Sequence, residues 1–364
     1  MGIDANNYLD AFLDKKLMRE SPWRALQELD KRVAAFATAA HKQTKHFFIA
    51  VFDADQQSAE VTEKWSSRRE RELRNEKRNV VLGTDTMLSD ALTEKGVPVV
   101  RLLGADADDV LAALACAGRG GGVMSCDTDF LEYEPRPRIF NGWRVNAAGE
   151  LCLWAKPPRG GSASAVRTVD PRLAELALAS LDTGAAITAI RDKYDAAARG
   201  GRITRGVSSS SDRRRGNLHA LAAPLRAAVY HALGEKEAVM ETIPEWDREV
   251  GGVAWRQSAL QPDPALRALL SDATAAAAWL DERDGDDLAV FPCDEWLEPW
   301  TADEVAWRAQ ERRFNRRVLA CEMATVVACA DSERAGGGAA AAAGVGSVLA
   351  RLRSFPEYTS CSQS

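Results

Sequence analysis

Six aspartates stand where apolar runs of this chain stop. Asp4 follows Gly2-Ile3, Asp53 follows the run from Phe47 to Phe52, Asp106 and Asp108 follow Val97 to Leu103, and Asp127 and Asp129 follow Gly122 to Cys126. An isolated surface acid is ordinary, but acids placed repeatedly at the ends of buried runs are not. In an open parallel sheet the strand C-termini share one crevice, and ligands bind there. Carboxylates gathered in such a crevice repel one another unless cations sit between them, and hard oxygen ligands suit Mg²⁺ or Mn²⁺. The i, i+2 spacing of Asp106 with Asp108, and of Asp127 with Asp129, lets both members of a pair approach one cation across a turn. Carboxylates around one or two such ions are what phosphodiester hydrolysis needs. One ion lowers the pKa of a bound water, and a second, about 4 Å away, stabilises the departing oxygen. The bland alternative stays open residue by residue: Asp106 also fits a helix N-cap and Asp129 a turn.

The elements that must position these acids alternate between strand and helix. Phe47 to Phe52 is a continuous apolar run of the central parallel-strand type. Val97 to Leu103 and Gly122 to Cys126 read as further strands, and Met1 to Asp4 as a short one. Between them, apolar residues recur at helical spacing from Tyr8 to Phe36 (Leu9, Phe12, Leu13, Leu17, Trp23, Leu26, Leu29, Val33). Residues 59–79, 86–95 and 106–117 also read as helices. Such alternation implies βαβ units in a three-layer α/β core with a parallel sheet. Past Arg138 the pattern changes. Two short strands flank a turn at residues 146–149, and helices are expected over 171–198, 217–240, 262–283 and 301–330. The last of these opens on a capping-box pattern, Thr301 with Glu304. An Arg/Ser-rich loop is expected over 200–215. The domain division that follows is 1–160 for the core, with a charged helix at about 59–79, then 161–240 for a helical extension, 241–334 for a C-terminal helical region, and 335–364 for a Gly/Ala-rich disordered tail.

Composition narrows the function classes. The chain has 364 residues, is 46% hydrophobic and carries a net charge of −6, which argues against a generally basic nucleic-acid coat. Seven scattered Cys and no Cys-x-x-Cys pair suggest reduced thiols in an intracellular compartment, nucleus or cytoplasm. Only four His leave little material for a His-based metal site or triad. No apolar stretch is long enough for a bilayer, so no membrane partner is expected.

Taken in order, the acidic segments resemble the flap endonuclease/XPG-type branch of the PIN-like nucleases. Ile3-Asp4-Ala5-Asn6-Asn7-Tyr8-Leu9 is similar to that family's first strand and following helix, and Phe48-Ile49-Ala50-Val51-Phe52-Asp53 to its second acidic strand before a charged arch. Gly96-Val97-Pro98-Val99-Val100 leading to Ala105-Asp106-Ala107-Asp108 resembles its Gly-Ile-Pro strand and Glu-x-Glu motif, with Asp for both Glu. Ser125-Cys126-Asp127-Thr128-Asp129-Phe130-Leu131 resembles its Asp-x-Asp-x-Leu motif. The resemblance covers residues 1 to about 135. It implies a two-metal, structure-selective nuclease acting on branched or single-stranded nucleic acid, DNA ahead of RNA. Asp4, Asp53, Asp106, Asp108, Asp127 and Asp129 would be catalytic metal ligands, and Asp182 is the best positional match to a seventh acid. The chain departs from the family in three ways: a leader ahead of the first acid is not seen, Asp replaces Glu twice, and the duplex-gripping motif is degenerate. These departures resemble the divergent Asteroid-type members.

Lys64, Arg68, Arg71, Arg74 and Arg78 fall on one stripe about 120° wide on a helix. Such a stripe suits a phosphate-guiding arch, and equally a solvated helix with ion pairs such as Glu70 with Arg74. Arg308, Arg312, Arg313, Arg316 and Arg317 read first as a solvated face, and otherwise as a brace for the core or a surface that meets a partner. Two rivals remain. One is a nucleic-acid-binding or scaffold protein that kept the fold and lost catalysis. The other is an aspartyl phosphotransferase, which needs Asp-x-Asp after the first strand where this chain has Asp4-Ala5-Asn6.

Overall fold

The structure, a computed structural model, describes residues 1–42, 47–53, 63, 66–68, 70–71, 83–118, 121–155, 166–181, 185–199, 218–247, 249–284, 301–336 and 346–361. The chain forms two compact units. The first comprises Met1–Asp14, Leu26–Ser58 and Asp85–Ala189; the second comprises Lys15–Ala25, Ala59–Thr84 and Ile190–Ser364.

The first unit is mixed α/β and built on a parallel sheet. Strands β1 (Gly2–Asp4), β2 (Ile49–Val51), β3 (Val99–Val100), β4 (Val123–Met124) and β6 (Ile139–Phe140) pair in the order β3-β2-β1-β4-β6, every pair parallel. All residues of β1 to β4 are buried, which is why these segments read as continuous apolar runs without alternation. Helix α1 (Ala5–Phe12) leaves the end of β1, and α5 (Ala107–Ala117) follows β3. A Cβ at Gly2 would lie 2.6 Å from the Leu111 side chain, so the glycine lets α5 close directly onto β1. Ile49, Val51, Val100, Val110, Leu111, Val123 and Phe130 form the shared core, with α6 (Arg172–Ala179) adding Ala174 and Ala177. Three smaller elements complete the unit. Strand β5 (Tyr133–Glu134) pairs with β9 (Arg167–Thr168), β7 (Gly142–Val145) pairs antiparallel with β8 (Leu151–Trp154), and α4 (Thr84–Glu94) precedes β3.

The second unit is organised by one long helix, α11 (Ala302–Arg334), which buries Phe314, Val318, Leu319, Met323 and Val326. Its expected capping box is present: Glu304 N–H donates to Thr301 Oγ1 at 3.3 Å and Thr301 N–H to the Glu304 carboxylate at 2.9 Å. Trp23 packs on Phe314, with centroids 4.9 Å apart, and on Phe355 at 6.2 Å, which explains why residues 15–25 belong to this unit. Arg312, Arg316 and Arg317 are not a solvated face. They bind Asp281 and Asp284 of helix α10 (Ala273–Asp284) and brace α10 against α11.

Several expectations are corrected here. The C-terminal residues 346–361 are not a disordered tail: α12 (Val348–Arg353) and α13 (Pro356–Ser360) bury Val348, Leu349, Leu352 and Phe355. Residues 241–334 are not uniformly helical, because β10 (Val239–Asp247) and β11 (Gly252–Leu260) form an antiparallel ribbon. The helix expected to reach residue 240 ends as α9 (Ala223–Leu233) at Gly234, whose φ of +98° is left-handed. Finally, the boundary at residue 160 is replaced by interleaved segments: residues 15–25 and 59–84 join the second unit, and 161–189 join the first. The expected helices over 171–198 and 262–283 are also shorter. The first is α6 and α7 (Ala185–Ala198), and the second begins as α10 at Ala273 after Asp272 caps Thr274 N–H at 2.8 Å.

Candidate metal centre

Each acid reaches the C-terminal edge of the sheet by a local rule. Asp4 ends β1 and is the N-cap of α1, with its Oδ1 accepting Asn7 N–H at 3.2 Å. A short side chain that serves a helix N-terminus must sit at the strand–helix junction, and this fixes its position. Its Oδ2 accepts from Ser125 Oγ at 2.6 Å and from Asn7 Nδ2 at 2.7 Å. Asp4 is only 3% exposed. Burial raises its pKa, the Ser125 and Asn7 hydrogen bonds oppose the rise, and the charge of Asp53 adds to it.

Asp53 lies two residues beyond β2. Its carboxylate accepts from Asn6 Nδ2 at 2.6 Å, and its carbonyl accepts from Arg101 Nη1 at 3.0 Å. The Arg101 guanidinium lies 4.4 Å over the Phe52 ring and 3.7 Å from Asp85, which pins the end of β2 to the strand beside it. Asp127 follows β4. Its N–H donates to Ser125 Oγ at 3.0 Å, so Ser125 couples the ends of β4 and β1 through one hydroxyl. Asp127 Oδ1 accepts Asp129 N–H at 3.1 Å, and its Oδ2 lies 3.3 Å from Asn7 Nδ2.

Asp106 is the N-cap of α5 and accepts Asp108 N–H at 3.0 Å. The capping role anticipated for it is therefore real, and it places Asp108 in the first turn facing the other acids. The pKa of Asp108 is pushed up to about 8, first by burial and then by the charges of Asp4, Asp106, Asp127 and Asp53. Carboxylates from four separate segments thus act on one another here, with the charge of Arg167 also acting on Asp106 and Asp108. The next residue behaves differently. Asp109 Oδ1 accepts from Tyr133 Oη at 2.6 Å and from Arg167 Nη2 at 2.8 Å, and Arg167 lies 4.7 Å over the Tyr133 ring. One acid of this turn is neutralised while its neighbour faces the cluster.

The charges of four of the expected acids, Asp4, Asp53, Asp106 and Asp127, thus act on a fifth, Asp108. Asp129 is exposed at the head of a 3₁₀ turn (Asp129–Glu132), where its N–H donates to Asp127 Oδ1. The five do not form a ready coordination sphere: among the described residues, no three His, Cys, Asp or Glu side chains stand close enough to hold one ion together. Asn6 donates to Asp53, and Asn7, like Ser125, touches both Asp4 and Asp127. The first-helix motif contained both asparagines, but their polar type alone carried no sign of this bridging.

Arg68 and Arg71 are exposed and belong to the second unit, where the adjacent Glu70 accepts from Trp255 Nε1 at 2.8 Å. Lys64, Arg74, Arg78 and Asp182 lie outside the described residues. Among the described residues, no helix is long and apolar enough to cross a membrane. No protein-family model, curated protein or solved structure matches this chain.

Proposed function

We propose that the first unit is a PIN-like, three-layer nuclease core that hydrolyses phosphodiester bonds in branched or single-stranded nucleic acid with the help of Mg²⁺ or Mn²⁺. The observation that carries this reading is the field on Asp108. Four carboxylates from the ends of β1, β2 and β4 and from the cap of α5 act on a fifth at the open edge of a parallel sheet. The donor chemistry fits a hard divalent ion, being all oxygen, anionic and partly buried. Asp4, Asp53, Asp106, Asp108 and Asp127 are the residues that would hold such ions. When bound, the ions supply an acidified water and neutralise the oxygen that leaves.

The chain's own groups have separate tasks in this reading. Ser125 orients Asp4 and Asp127 together, Asn6 orients Asp53, and the α5 N-terminus presents Asp106 and Asp108. Arg68 and Arg71 are assigned to guiding the phosphate backbone. Binding through such arginines weakens as salt rises.

A second reading has one observation in its favour. Because no three acidic ligands are preassembled among the described residues, the chain can also be taken as a nucleic-acid-binding protein of this fold that does not cleave. The two readings separate on labelled flap, hairpin and single-stranded substrates of DNA and RNA, incubated with Mg²⁺ or Mn²⁺. Cleavage by the full chain, lost in a folded Asp127→Asn variant, supports the nuclease. Substrates left intact by the native protein, or cut equally by the variant, sink it.

A further inference from the structure

Residues 63, 66–68 and 70–71 are helical and belong to the second unit. At about 100° per residue, Ser66 and Glu70 share one side of this turn, while Arg68 and Arg71 lie within about 60° of each other on the opposite side. Burial follows the same division. Ser66 is fully buried and Glu70 half-buried, whereas Arg68 and Arg71 are exposed. The rotation of the turn about its axis therefore decides whether the two arginines meet solvent or protein.

A contact from a distant segment holds that rotation. Trp255 Nε1 donates to Glu70 Oε1 at 2.8 Å. An indole N–H can only donate and a carboxylate can only accept, and a hydrogen bond to a charged acceptor is of the stronger kind. Trp255 is itself supported. It stands on β11 opposite Pro244 of β10. Strand β10 is fixed in turn by the fully buried Glu241, which accepts from Arg226 and Tyr230 of α9. The contacts thus run from a buried ion pair, through the ribbon, to the inward side of the basic turn, all within the second unit.

We propose that the β10–β11 ribbon is a brace that presents Arg68 and Arg71 to a nucleic-acid backbone, with Trp255 and Glu70 as positioning residues. This rests on the assignment of Arg68 and Arg71 to the phosphate backbone made above, and it requires neither a bound ion nor cleavage. A turn held with its arginines outward binds with its full affinity; one that rotates freely binds only in the fraction of molecules that present them. Each phosphate contact to a single strand adds about 0.7 to the slope of log affinity against log salt. Loss of the brace therefore lowers the salt slope as well as the affinity, which loss of a remote packing contact does not.

The experiment is fluorescence anisotropy of a labelled single-stranded oligodeoxynucleotide with the full chain, without divalent metal, over a series of salt concentrations. Trp255→Phe keeps an aromatic ring and the net charge and removes the donor. It is expected to bind on the order of tenfold more weakly, with a shallower salt slope. In the background Arg68→Gln, Arg71→Gln, the same Trp255→Phe change is expected to have no further effect. A second pair of variants carries the test should Trp255→Phe not fold. Glu70→Gln and Glu70→Ala lose the same charge, but only glutamine keeps an oxygen for the indole N–H, so Glu70→Ala is expected to bind more weakly than Glu70→Gln. Alanine is the better helix former, so that difference is not one of helix propensity. Native-like affinity and slope in a folded Trp255→Phe, or equal binding by the two Glu70 variants, overturns the brace and leaves the nucleic-acid reading intact. An effect of Trp255→Phe that persists without the two arginines also overturns it, because Trp255 then acts on the strand itself. A native protein that binds no oligonucleotide overturns the nucleic-acid reading, and the brace with it.

Discussion

Replacing Asp108 with Asn is expected to stabilise the metal-free protein at neutral pH, although it removes a group from the candidate site. Asp108 is lifted from its ordinary 3.8 to about 8 by burial and by the charges of Asp4, Asp106, Asp127 and Asp53. The folded chain therefore holds a proton there that the unfolded chain releases. Each pH unit between the two values costs the fold about 1.4 kcal/mol, so the penalty at pH 7 has a ceiling of roughly 4 kcal/mol. Partial exposure and relaxation of the neighbouring acids reduce this to about 1–3 kcal/mol. The sign is set by the raised folded-state value. The stability linked to Asp108 is fully present below about pH 4 and is lost as pH climbs through about 8.

The assay is urea unfolding of the native chain and Asp108→Asn, both stripped of metal, at several pH values from 5 to 8.5. The native protein is expected to weaken across this window and the variant to weaken less, so that the variant is the more stable by about 1–3 kcal/mol at pH 7. Added Mn²⁺ is expected to recover the native protein more than the variant, because an ion bound only by the folded state adds stability by mass action. Equal pH profiles, or a variant less stable than the native chain at pH 8, would refute the convergence of the acids on Asp108.

Three further outcomes are expected. Asp129→Asn should retain far more metal-dependent cleavage than Asp127→Asn, by on the order of tenfold in a single-turnover assay, because Asp129 is exposed at the head of a 3₁₀ turn whereas Asp127 shares the Ser125 hydroxyl and the Asn7 carboxamide with Asp4. Glu241→Gln should cost about 3–5 kcal/mol in denaturant unfolding: Glu241 is fully buried, takes both Nε and Nη2 of Arg226 at 2.7 and 2.6 Å, and accepts from Tyr230 at 2.6 Å, so its loss leaves a buried guanidinium unpaired. Leu352→Ala should cost about 2–5 kcal/mol, since Leu352 is fully buried in α12; a change near zero in melting temperature would restore the disordered tail.

The acidic edge was legible in the sequence because two physical rules coincide there. A strand buried on both faces must be apolar throughout, so its end is marked by the first residue that cannot be buried cheaply. When that residue is Asp and also caps the next helix, as Asp4 does directly after β1, strand end, helix start and carboxylate are read from one position. The parallel order around β1 then brings those ends to one edge, and the alternation of strand and helix already implied as much. What could not be read was the matter between the acids. Asn7 touches Asp127 across 120 positions of sequence, and no periodicity marks a contact made by two unrelated segments.

The ribbon was missed for a related reason. A half-buried strand is recognised by apolar residues on its inner face, yet in β10 the inward series Val239, Glu241, Ile243 has an acid at its centre while Met240 is 44% exposed. Arg226 makes Glu241 compatible with the interior, and Arg226 lies on a helix 15 positions away. The error over α12 had another origin. The Gly/Ala tract before it was allowed to colour what followed, although Val348, Leu349, Leu352 and Phe355 keep the i, i+1, i+4, i+7 spacing of a one-sided helix. Composition describes a segment only as far as its periodicity stays silent, and here the periodicity resumed at Val348. The same reasoning bears on the candidate site: the types of the acids were visible and their neutralisation was not, because charge compensation is a property of the folded neighbourhood. Asp108 and Asp109 are adjacent and chemically identical, yet Asp109 is held by hydrogen bonds from Tyr133 and Arg167 while Asp108 stands in the field of four carboxylates.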